Sequence, residues 1–401
     1  MIGIKKLIKV DGGENNNKYY EMHPQGDTFL AKWGRVEGGK GETQTYPIGA
    51  FEKKYKEKLR KGYKDVTDIV AVIDKDGDTF NDIKDSSVAS FISKLQGYSN
   101  SSIRENYTVS ALAVTQRQVD EAQGILNKIT ALSDPKKVNQ NLEELFTIIP
   151  RKMKKVADHL VPVTIFSKEL KNTINSIITN EQATLDVMAG QFSTNTKTKD
   201  HKKTDTILDA LGLELSSKLE DKEFDLIKKL LGHNSNQFKN AYKAINKKTQ
   251  TKFDKHLSQA DDKHRKLFWH GSRNENWWSI LGTGLLIRPT NAVITGKMFG
   301  YGIYFADKAQ KSIGYTSLSG SYWASGRSNS AYLALFDVHL GNYLHTKRHE
   351  NYMSSLDWNK LRAKGKYDSL FAEGGADLRN NEYIVYQEPQ CTIAYIVEIG
   401  N

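Results

Sequence analysis

Cysteine is almost absent from this chain. A single residue, Cys391, occurs among 401, which excludes disulfides within the chain and any zinc site built from several cysteines. Such sparse cysteine also favours a reducing compartment. Because Cys391 lies in the apolar run CTIAYIVEI, we expect a buried structural thiol rather than a nucleophile.

Long hydrophobic runs and the common cofactor motifs are also missing. No stretch approaches the roughly 20 apolar residues of a membrane span, and the first ten residues are too short in their apolar part for a signal peptide. The segment GKMFGYG fits neither the dinucleotide-binding nor the phosphate-loop pattern, and no H-E-x-x-H occurs. We therefore expect a soluble, intracellular protein that binds no metal and has no membrane partner.

Basic and aromatic residues are plentiful by contrast. The formal net charge is +11, from 58 Lys and Arg against 47 Asp and Glu. This excess fits a polyanionic partner such as nucleic acid, but it fits simple solubility equally well. With 38% hydrophobic residues, 19 Tyr and 15 Phe, the chain has core material for two or three domains of roughly 100–200 residues each.

Residues 1–78 predict a small β-rich domain. The strand candidates KKLIKV, YYEMH, TFLAKWGRV and ETQTYP are separated by clusters of Gly, Asn and Glu. A helix is predicted over residues 50–61, where Phe51, Tyr55 and Leu59 are spaced four apart. The stretch 51–64 carries seven Lys or Arg residues against two Glu.

Residues 79–198 predict an all-α bundle. Thr115 and Gln118 have the spacing of a capping box that opens a helix. Two apolar stripes at helical spacing predict core-facing surfaces: Ala122, Ile125, Leu126 and Ile129 in one, and Leu170, Ile174, Ile177 and Ile178 in the other. The polar stretch 193–205 predicts an exposed loop.

Residues 199–401 predict a mixed α+β domain, with helices first and strands after them. The segment SAYLALFDVHLG alternates, which places Tyr332, Ala334, Phe336 and Val338 on one face. The predicted fold class is therefore multidomain α+β: a β-rich domain, a helical bundle and a mixed domain.

Three short strands in the last third of the chain carry the candidate chemistry. The segments KLFWHGS, GYGIYFAD and NEYIVYQ can bring His270, Tyr304 and Glu382 into one cleft. This trio has no strong nucleophile, so it suits a site that grips a polar ligand and polarises a hydroxyl. Taken alone, a His or Tyr here would more often be core, whereas a Glu within an apolar strand is costly unless it is paired or functional.

These segments resemble the H-Y-E signature of the poly(ADP-ribose) polymerases of the diphtheria-toxin-like type. The matching stretches are WHGSRNEN, TGKMFGYGIYFADKAQKSIGY and NEYIVY. Upstream, AKWGRVEGGKGETQTYP with AFEKKYKEKLRKGYKDV resembles a WGR domain, and TQRQVDEAQGIL with LEELFTIIP resembles the family's helical regulatory domain. The resemblance implies a WGR domain at 1–78, a helical regulatory domain at 79–198 and an ADP-ribosyltransferase domain at 199–401.

The resemblance also implies NAD⁺ as substrate, cleaved at its nicotinamide glycosidic bond without a metal. Glu382 is the implied catalytic carboxylate, with His270 and Tyr304 as its companions. Tyr315 and Tyr304 would form the two aromatic walls around the nicotinamide ring of NAD⁺, a planar pyridinium cation that such rings attract. The implied NAD⁺-binding residues are His270, Gly271, Ser272, Asn276, Tyr304, Lys311, Ser312 and Tyr315.

For the N-terminal part, the resemblance implies a sensor of DNA ends or nicks. Trp33 and Arg35 are the implied DNA-binding residues, with Trp33 packing on an end and Arg35 also contacting the helical domain. The helical domain would lie against the NAD⁺ site and loosen when DNA binds. The expected function is DNA-break-stimulated poly(ADP-ribosyl)ation of the protein itself and of other proteins in the DNA damage response.

Two alternatives remain open: a mono-ADP-ribosyltransferase of the same fold, or a DNA-end-binding scaffold with a silent NAD⁺ site. The expected location is nuclear for a eukaryotic protein, and nucleoid or cytoplasm for a bacterial or viral one. No accessory factor is indicated.

Two positions depart from the family pattern. Leu286 stands where the family commonly has an adenine-side Arg, and the nearest arginine is Arg288. Arg288 is two residues further along the chain, and whether it replaces the missing arginine is left open. Lys297 stands where an aromatic residue is frequent, which leaves the preference for acceptors open.

Overall fold

The computed structural model describes residues 2–37, 41–67, 80–108, 114–162, 167–197, 205–287 and 298–401. These residues form two compact units. The first unit contains the described residues before 68 together with 101–192, and the second contains 80–100 and the described residues from 205 onwards. Arg288 and Lys297 lie outside the described residues.

A five-stranded antiparallel sheet opens the first unit. Its strands are β1 (Lys5–Asp11), β2 (Asn16–Gln25), β3 (Thr28–Arg35), β4 (Glu42–Pro47) and β5 (Lys64–Asp65), in the order β4-β3-β2-β1-β5. The four strands predicted from the sequence are confirmed, and the turn between β1 and β2 falls in the expected cluster of Gly and Asn.

One helix, α1 (Phe51–Arg60), covers this sheet. Phe51 is buried and meets Phe29 of β3 edge to face, with ring centroids 5.1 Å apart. The predicted apolar stripe is narrower than expected: Leu59 is 37% exposed. Its helix is short and basic, so only the side that touches the sheet needs apolar residues.

The other α-helices of the first unit are the last six residues of α2 (Ser86–Asn106), then α3 (Gln116–Ile129), α4 (Pro135–Ile148) and α5 (Ser167–Lys197) as far as Phe192. The predicted capping box is confirmed: the Thr115 hydroxyl accepts from the Gln118 amide, and the Gln118 side chain accepts from the Thr115 amide at 3.0 Å. The α3 stripe is fully buried.

The loop predicted over 193–205 is wrong in its first part, because α5 continues to Lys197. Polar residues alone do not end a helix, and no Gly or Pro interrupts 193–197. The rest of that prediction falls largely on residues 198–204, outside the described ranges.

A buried ion pair lies at the centre of the first unit. The Arg151 guanidinium donates to the Glu181 carboxylate at 3.1 Å, and both side chains are under 10% exposed. Arg151 also lies over the Tyr107 ring, and its carbonyl accepts from the Asn17 side chain of β2 at 3.1 Å. This cluster therefore joins the helical bundle to the sheet within one unit.

The second unit is built on two sheets. The larger has the order β6-β7-β14-β10-β8 and is antiparallel. Its strands are β6 (Leu213–Ser216), β7 (Phe238–Asn246), β8 (Arg265–Gly271), β10 (Ser330–His339) and β14 (Cys391–Gly400). The smaller has the order β11-β12-β13-β9, with strands β9 (Ile303–Phe305), β11 (Tyr343–Thr346), β12 (Ser369–Ala372) and β13 (Glu382–Val385).

Helices alternate with these strands, so the expected order of helices before strands is wrong. They are α6 (Ile207–Leu211), α7 (Asp221–Leu231), α8 (Lys247–Gln259), α9 (Trp277–Thr283), α10 (Ala309–Ile313) and α11 (Trp358–Gly365). Strand β6 is too short, and the nine residues of β7 have too little period-two alternation, for either strand to be recognised in the sequence.

Strand β10 lies between β14 and β8 and is buried on both faces. One face holds the predicted set Tyr332, Ala334, Phe336 and Val338, and the other holds Ala331, Leu333 and Leu335. The first part of α2 belongs to the same core, since Phe91 stacks on Tyr242 at 4.3 Å. Cys391 is buried, as predicted.

Candidate active site

Strands β8 and β9 join the two sheets of the second unit. Trp269 and Ala306 exchange two backbone hydrogen bonds, of 2.8 and 3.0 Å. Strand β9 then pairs with β13, with Tyr304 opposite Ile384. The three segments that carry His270, Tyr304 and Glu382 therefore run side by side at one edge of the larger sheet.

Gly271 ends β8 with its backbone turned to that edge. Residues two apart in a strand point their N–H and C=O groups the same way, and those of Trp269 point at Ala306. A Cβ atom on Gly271 would lie 1.9 Å from the Ser312 carbonyl oxygen, so only glycine fits. Its amide and carbonyl, with no side chain beside them, suit the close approach of a flat ligand such as a carboxamide.

Ser272 and Asn276 are coupled beside this glycine. The Asn276 side chain donates to the Ser272 hydroxyl at 2.9 Å, and the Ser272 carbonyl accepts from the Trp277 indole at 3.2 Å. A hydroxyl that accepts in this way retains its own proton for a second partner. Ser272 can therefore donate to a ligand oxygen next to Gly271.

His270 is held in one tautomer. Its Nδ1 lies 3.0 Å from the Tyr304 carbonyl, and a carbonyl only accepts, so Nδ1 carries the proton. Burial lowers the pKa of His270, although the hydrogen bond to Tyr304 opposes this effect. The ring is neutral at pH 7, and its Nε2 is an acceptor suited to a ribose hydroxyl.

Tyr304 is fixed by the turn that precedes its strand. Its hydroxyl donates to the Gly300 carbonyl at 2.9 Å and accepts from the Phe299 amide at 3.0 Å. Burial, with a smaller contribution from Glu382, raises the pKa of Tyr304. The ring is therefore an immobile neutral wall, and alternation along β9 and β13 puts it on the same face as Glu382.

Glu382 forms an ion pair with Lys311. The Lys311 ammonium hydrogen-bonds the Glu382 Oε1 atom, and both side chains are under 15% exposed. Burial lowers the pKa of Lys311, while Glu382 and Asp307 oppose that shift. Glu382 is thus a nearly buried carboxylate whose Oε1 atom is paired with a cation. Burial of a Glu within an apolar strand is costly without such a partner.

Tyr315 and Ser312 lie on the segment that faces Gly271. Ser312 is buried in α10, and its carbonyl accepts from the Tyr315 amide at 3.1 Å. The Tyr315 ring is 41% exposed. Burial of its hydroxyl and the neighbouring Glu382 raise the pKa of Tyr315 to about 12, so the phenol is neutral.

Three polar residues around the site were not found by sequence reasoning. The Asn381 side chain donates to Asp307 at 2.7 Å and accepts from the Gly374 amide, which supports the position next to Glu382. Asn274 is buried and donates to the Ser330 carbonyl at 3.0 Å. The three residues are Asn381, Asp307 and Asn274. The sequence held a signal for them, because each is a polar residue at or just beyond the end of one of the three segments.

The two residues assigned to DNA lie in the first unit. Trp33 on β3 is partly buried and stacks on Tyr20 with ring centroids 5.9 Å apart. Arg35 is exposed, and its guanidinium donates to the Asn15 carbonyl at 3.2 Å. The Asn15 side chain in turn accepts from the Val156 amide at 3.0 Å. Asn15 therefore connects Arg35 to the helical part of the same unit through two hydrogen bonds.

Leu286, at the position of the missing arginine, is 58% exposed. Within the described ranges, no group of three or more His, Cys, Asp or Glu side chains is arranged to hold a metal ion. No helix among those same residues is long and apolar enough to cross a membrane.

Comparison with known proteins gives two domain matches. Residues 221–401 match the poly(ADP-ribose) polymerase catalytic domain, and residues 5–69 match the WGR domain. "Putative poly [ADP-ribose] polymerase-like 100L" of Invertebrate iridescent virus 6 is 36% identical over 38% of this chain and 80% of that protein. "Uncharacterized protein 101L" of the same virus is 34% identical over 47% of this chain and 78% of its own length.

A longer relative matches this chain over a smaller share of its own length. "Poly [ADP-ribose] polymerase 2" of Homo sapiens is 32% identical over 36% of this chain and 28% of its own length. The catalytic domain match and the arrangement of Gly271, Tyr304 and Glu382 on neighbouring strands define an NAD⁺ ADP-ribosyltransferase. The chain belongs to the poly(ADP-ribose) polymerase family.

Proposed function

We propose that this protein builds poly(ADP-ribose) on itself and on other proteins when its WGR domain meets a DNA break. The observation that carries the elongation part is the Glu382–Lys311 pair in the cleft beside Gly271. The observation that carries the DNA part is the presence of a WGR domain in the same chain as the catalytic domain.

The nicotinamide end of NAD⁺ binds against Gly271. Its carboxamide bonds the Gly271 backbone and the Ser272 hydroxyl, and its ring lies between Tyr304 and Tyr315. His270 accepts from an adenosine ribose hydroxyl through Nε2. These contacts are supported by the requirement for glycine at position 271, the coupled Ser272 and the single tautomer of His270.

Glu382 acts on the ribose that loses nicotinamide. Departure of nicotinamide leaves an oxocarbenium-like cation, and a carboxylate bonded to the ribose 2′-hydroxyl stabilises the developing charge. Lys311 bonds Oε1, and Oε2 is the oxygen that we assign to the substrate. The same carboxylate polarises the attacking hydroxyl of an acceptor ADP-ribose, which is the step that extends a polymer.

The first unit senses DNA. Trp33 provides an aromatic face for a terminal base or sugar, a contact that does not depend on sequence. The basic stretch 53–64 supplies phosphate contacts, which add affinity without sequence information. DNA binding then shifts an equilibrium in which the helical domain restrains the enzyme, by as much as DNA prefers the active state. The protein acts where DNA is, in a nucleus, or in a nucleoid or cytoplasm if its source is bacterial or viral.

Labelled NAD⁺ with purified full-length protein, with and without nicked DNA, tests this proposal on a denaturing gel. We expect a ladder of long polymer on the protein itself, strongest with nicked DNA. A single discrete band would instead support mono-ADP-ribosylation, and no incorporation together with tight DNA binding would support the silent scaffold. Either result would contradict poly(ADP-ribose) synthesis.

A further inference from the structure

Two exposed aromatic residues beside the site have no part in the mechanism above. Tyr322 is 78% exposed and Trp323 is 63% exposed. Both lie in the loop between Tyr315 and β10, whose sequence is TSLSGSYWASGRSN. Exposed rings of this size cost hydrophobic free energy when they remain in water, so a contact that uses one of them would offset part of that cost.

The loop that carries these rings is ordered by its own hydrogen bonds. The buried Ser321 hydroxyl donates to the Thr316 carbonyl and accepts from the Gly326 amide, both at 2.8 Å. The Ser328 amide donates to the Ser317 carbonyl at 2.8 Å. The position of Trp323 is therefore set by the backbone, although its side chain is largely exposed.

The loop fastens Trp323 next to Tyr315. The Trp323 and Ala324 amides both donate to the Gly314 carbonyl, at 2.8 and 3.0 Å. A Cβ atom on Gly314 would lie 3.1 Å from the Trp323 Cδ1 atom, so the indole crosses the backbone directly before Tyr315. The two rings are stacked, with centroids 6.0 Å apart and planes 20° apart. The indole thus covers part of one face of Tyr315.

We propose that Trp323 is a positioning residue for the nicotinamide end of NAD⁺: it holds the Tyr315 ring so that the opposite face is ready to stack on the ligand. This inference rests on the proposed role of Tyr315. An exposed tyrosine loses side-chain freedom when it binds a ligand, and a ring already held in place loses less, which strengthens binding.

The neighbouring Tyr322 provides a matched control. It is equally part of the loop and still more exposed, but it meets the edge of Trp323 at 4.6 Å with planes 89° apart. Its removal therefore takes away an exposed ring of similar chemistry and leaves the Trp323–Tyr315 stack in place. A general effect of loop aromatics would appear in both variants, whereas positioning of Tyr315 would appear in one.

The test measures the Kd of benzamide, an uncharged analogue of nicotinamide, for the full chain by titration calorimetry. Trp323→Ala should weaken benzamide binding about 3- to 10-fold, the scale of one aromatic stack. Trp323→Phe should restore most of the affinity, and Tyr322→Ala should stay within about twofold of wild type. The KM for NAD⁺ should rise with the Kd while kcat changes less.

A double variant decides whether Trp323 acts through Tyr315. In a Tyr315→Ala background, Trp323→Ala should cause no further loss of affinity. An equal loss in both backgrounds would overturn the proposal, as would unchanged benzamide binding by Trp323→Ala when Tyr315→Ala binds weakly. If benzamide binds wild type and Tyr315→Ala equally well, the assigned nicotinamide site itself is wrong, and this inference falls with it.

Discussion

At the residue scale, the proposed chemistry depends on a carboxylate and an ammonium that lie 71 residues apart in sequence. Glu382 is nearly buried, and such a carboxylate is stable in a protein when a cation and hydrogen bonds accompany it. Lys311 provides the cation, while Asn381 and Asp307 support the strand end that carries Glu382. Removal of the charge on Glu382 should therefore affect the reaction far more than the binding of NAD⁺.

Glu382→Gln keeps the shape of the side chain and removes its charge. We expect polymer formation to fall about 10²- to 10⁴-fold, the effect of losing one electrostatic or acid–base group, while the Kd of benzamide changes little. Glu373→Gln is the control, because Glu373 is a carboxylate just after the neighbouring strand β12 and pairs with His345. Long polymer made at the wild-type rate by Glu382→Gln would contradict the assigned role.

Asp65 allows a prediction about pH. Burial alone would raise its pKa, but hydrogen bonds from Thr67, Tyr55 and Lys5 outweigh burial and lower the pKa to about 2. A lowered pKa stabilises the fold above the ordinary value near 3.8, and this contribution is lost as pH falls through about 2.

Asp65→Asn should therefore destabilise the first unit by about 1–2 kcal/mol at pH 7, with allowance for solvent screening. The difference in melting temperature between wild type and variant should be constant from pH 7 to about 5 and should narrow below about pH 4. Calorimetric scans across this range measure it. A gap that widens as the pH falls would show that Asp65 is not a stabilising carboxylate.

The sequence predicted the main residues of this site, but it did not predict the hydrogen bonds that connect them to other side chains. His270, Tyr304 and Glu382 stand in segments whose apolar alternation and local motifs are visible along the chain. The bond from Lys311 to Glu382 and the bond from Asn381 to Asp307 join residues about 70 positions apart. Such pairs depend on how the strands are arranged in the sheets, which local periodicity does not specify.

At the scale of elements, the buried Arg151–Glu181 pair fixes Arg151 to α5, and the Arg151 backbone carbonyl contacts the sheet. Burial raises the pKa of Glu181, and Arg151 opposes that shift. A buried pair of this kind contributes little net stability when it is complete, but loss of one partner leaves a charge without compensation. The same pair orients the Arg151 carbonyl toward Asn17 of β2.

Arg151→Met should destabilise the first unit by about 3–5 kcal/mol, whereas Arg151→Met with Glu181→Leu should recover most of that loss. Differential scanning calorimetry of the full chain measures both. If the helical domain restrains the enzyme as proposed, the single variant should also release nicotinamide faster without DNA. A single variant as stable as wild type would show that the pair is not the link described here.

Trp33 tests the proposed DNA surface. Trp33→Ala should lower DNA-stimulated turnover more than basal turnover, because a terminal stack is worth about 1–3 kcal/mol per base. Trp33 also stacks on Tyr20, so Trp33→Phe serves as the control that keeps an aromatic ring on the sheet. Unchanged stimulation by nicked DNA in a folded Trp33→Ala protein would remove Trp33 from this role.

The elements themselves were predictable where a local signal marks them. The capping box of Thr115 and Gln118 marks the start of α3, and alternation marks β1 to β4. The end of α5 was missed because no breaker residue marks it. Burial of both faces of β10 was not predicted. Its large and small apolar residues alternate, and this pattern resembles that of a strand with a single buried face.

At the scale of the whole molecule, the chain combines a WGR domain with a catalytic domain of the poly(ADP-ribose) polymerase family. Packing groups residues 80–100 with the catalytic strands and residues 101–192 with the N-terminal sheet, a division that composition does not indicate. The start of the helical regulatory domain at residue 79 stays a prediction. A compact structural unit and a regulatory domain need not have the same boundaries.

The net charge of +11 fits either solubility or a polyanionic partner when it is considered alone. The WGR domain in the same chain favours DNA as that partner. If DNA is the activating ligand, it must bind the active state more tightly than the restrained one. A coupling of about 1–3 kcal/mol corresponds to a change of about 5- to 150-fold. Because Lys and Arg contacts release counterions, the DNA concentration needed for activation should rise steeply with salt.

The most direct test is the rate of nicotinamide release by the full-length protein, titrated with nicked DNA at fixed NAD⁺. The account predicts a saturable rise of at least about 5-fold, with a midpoint that moves to higher DNA concentration as salt increases. The same rate at every DNA concentration, from a protein that binds the nicked DNA and turns over NAD⁺, would contradict it.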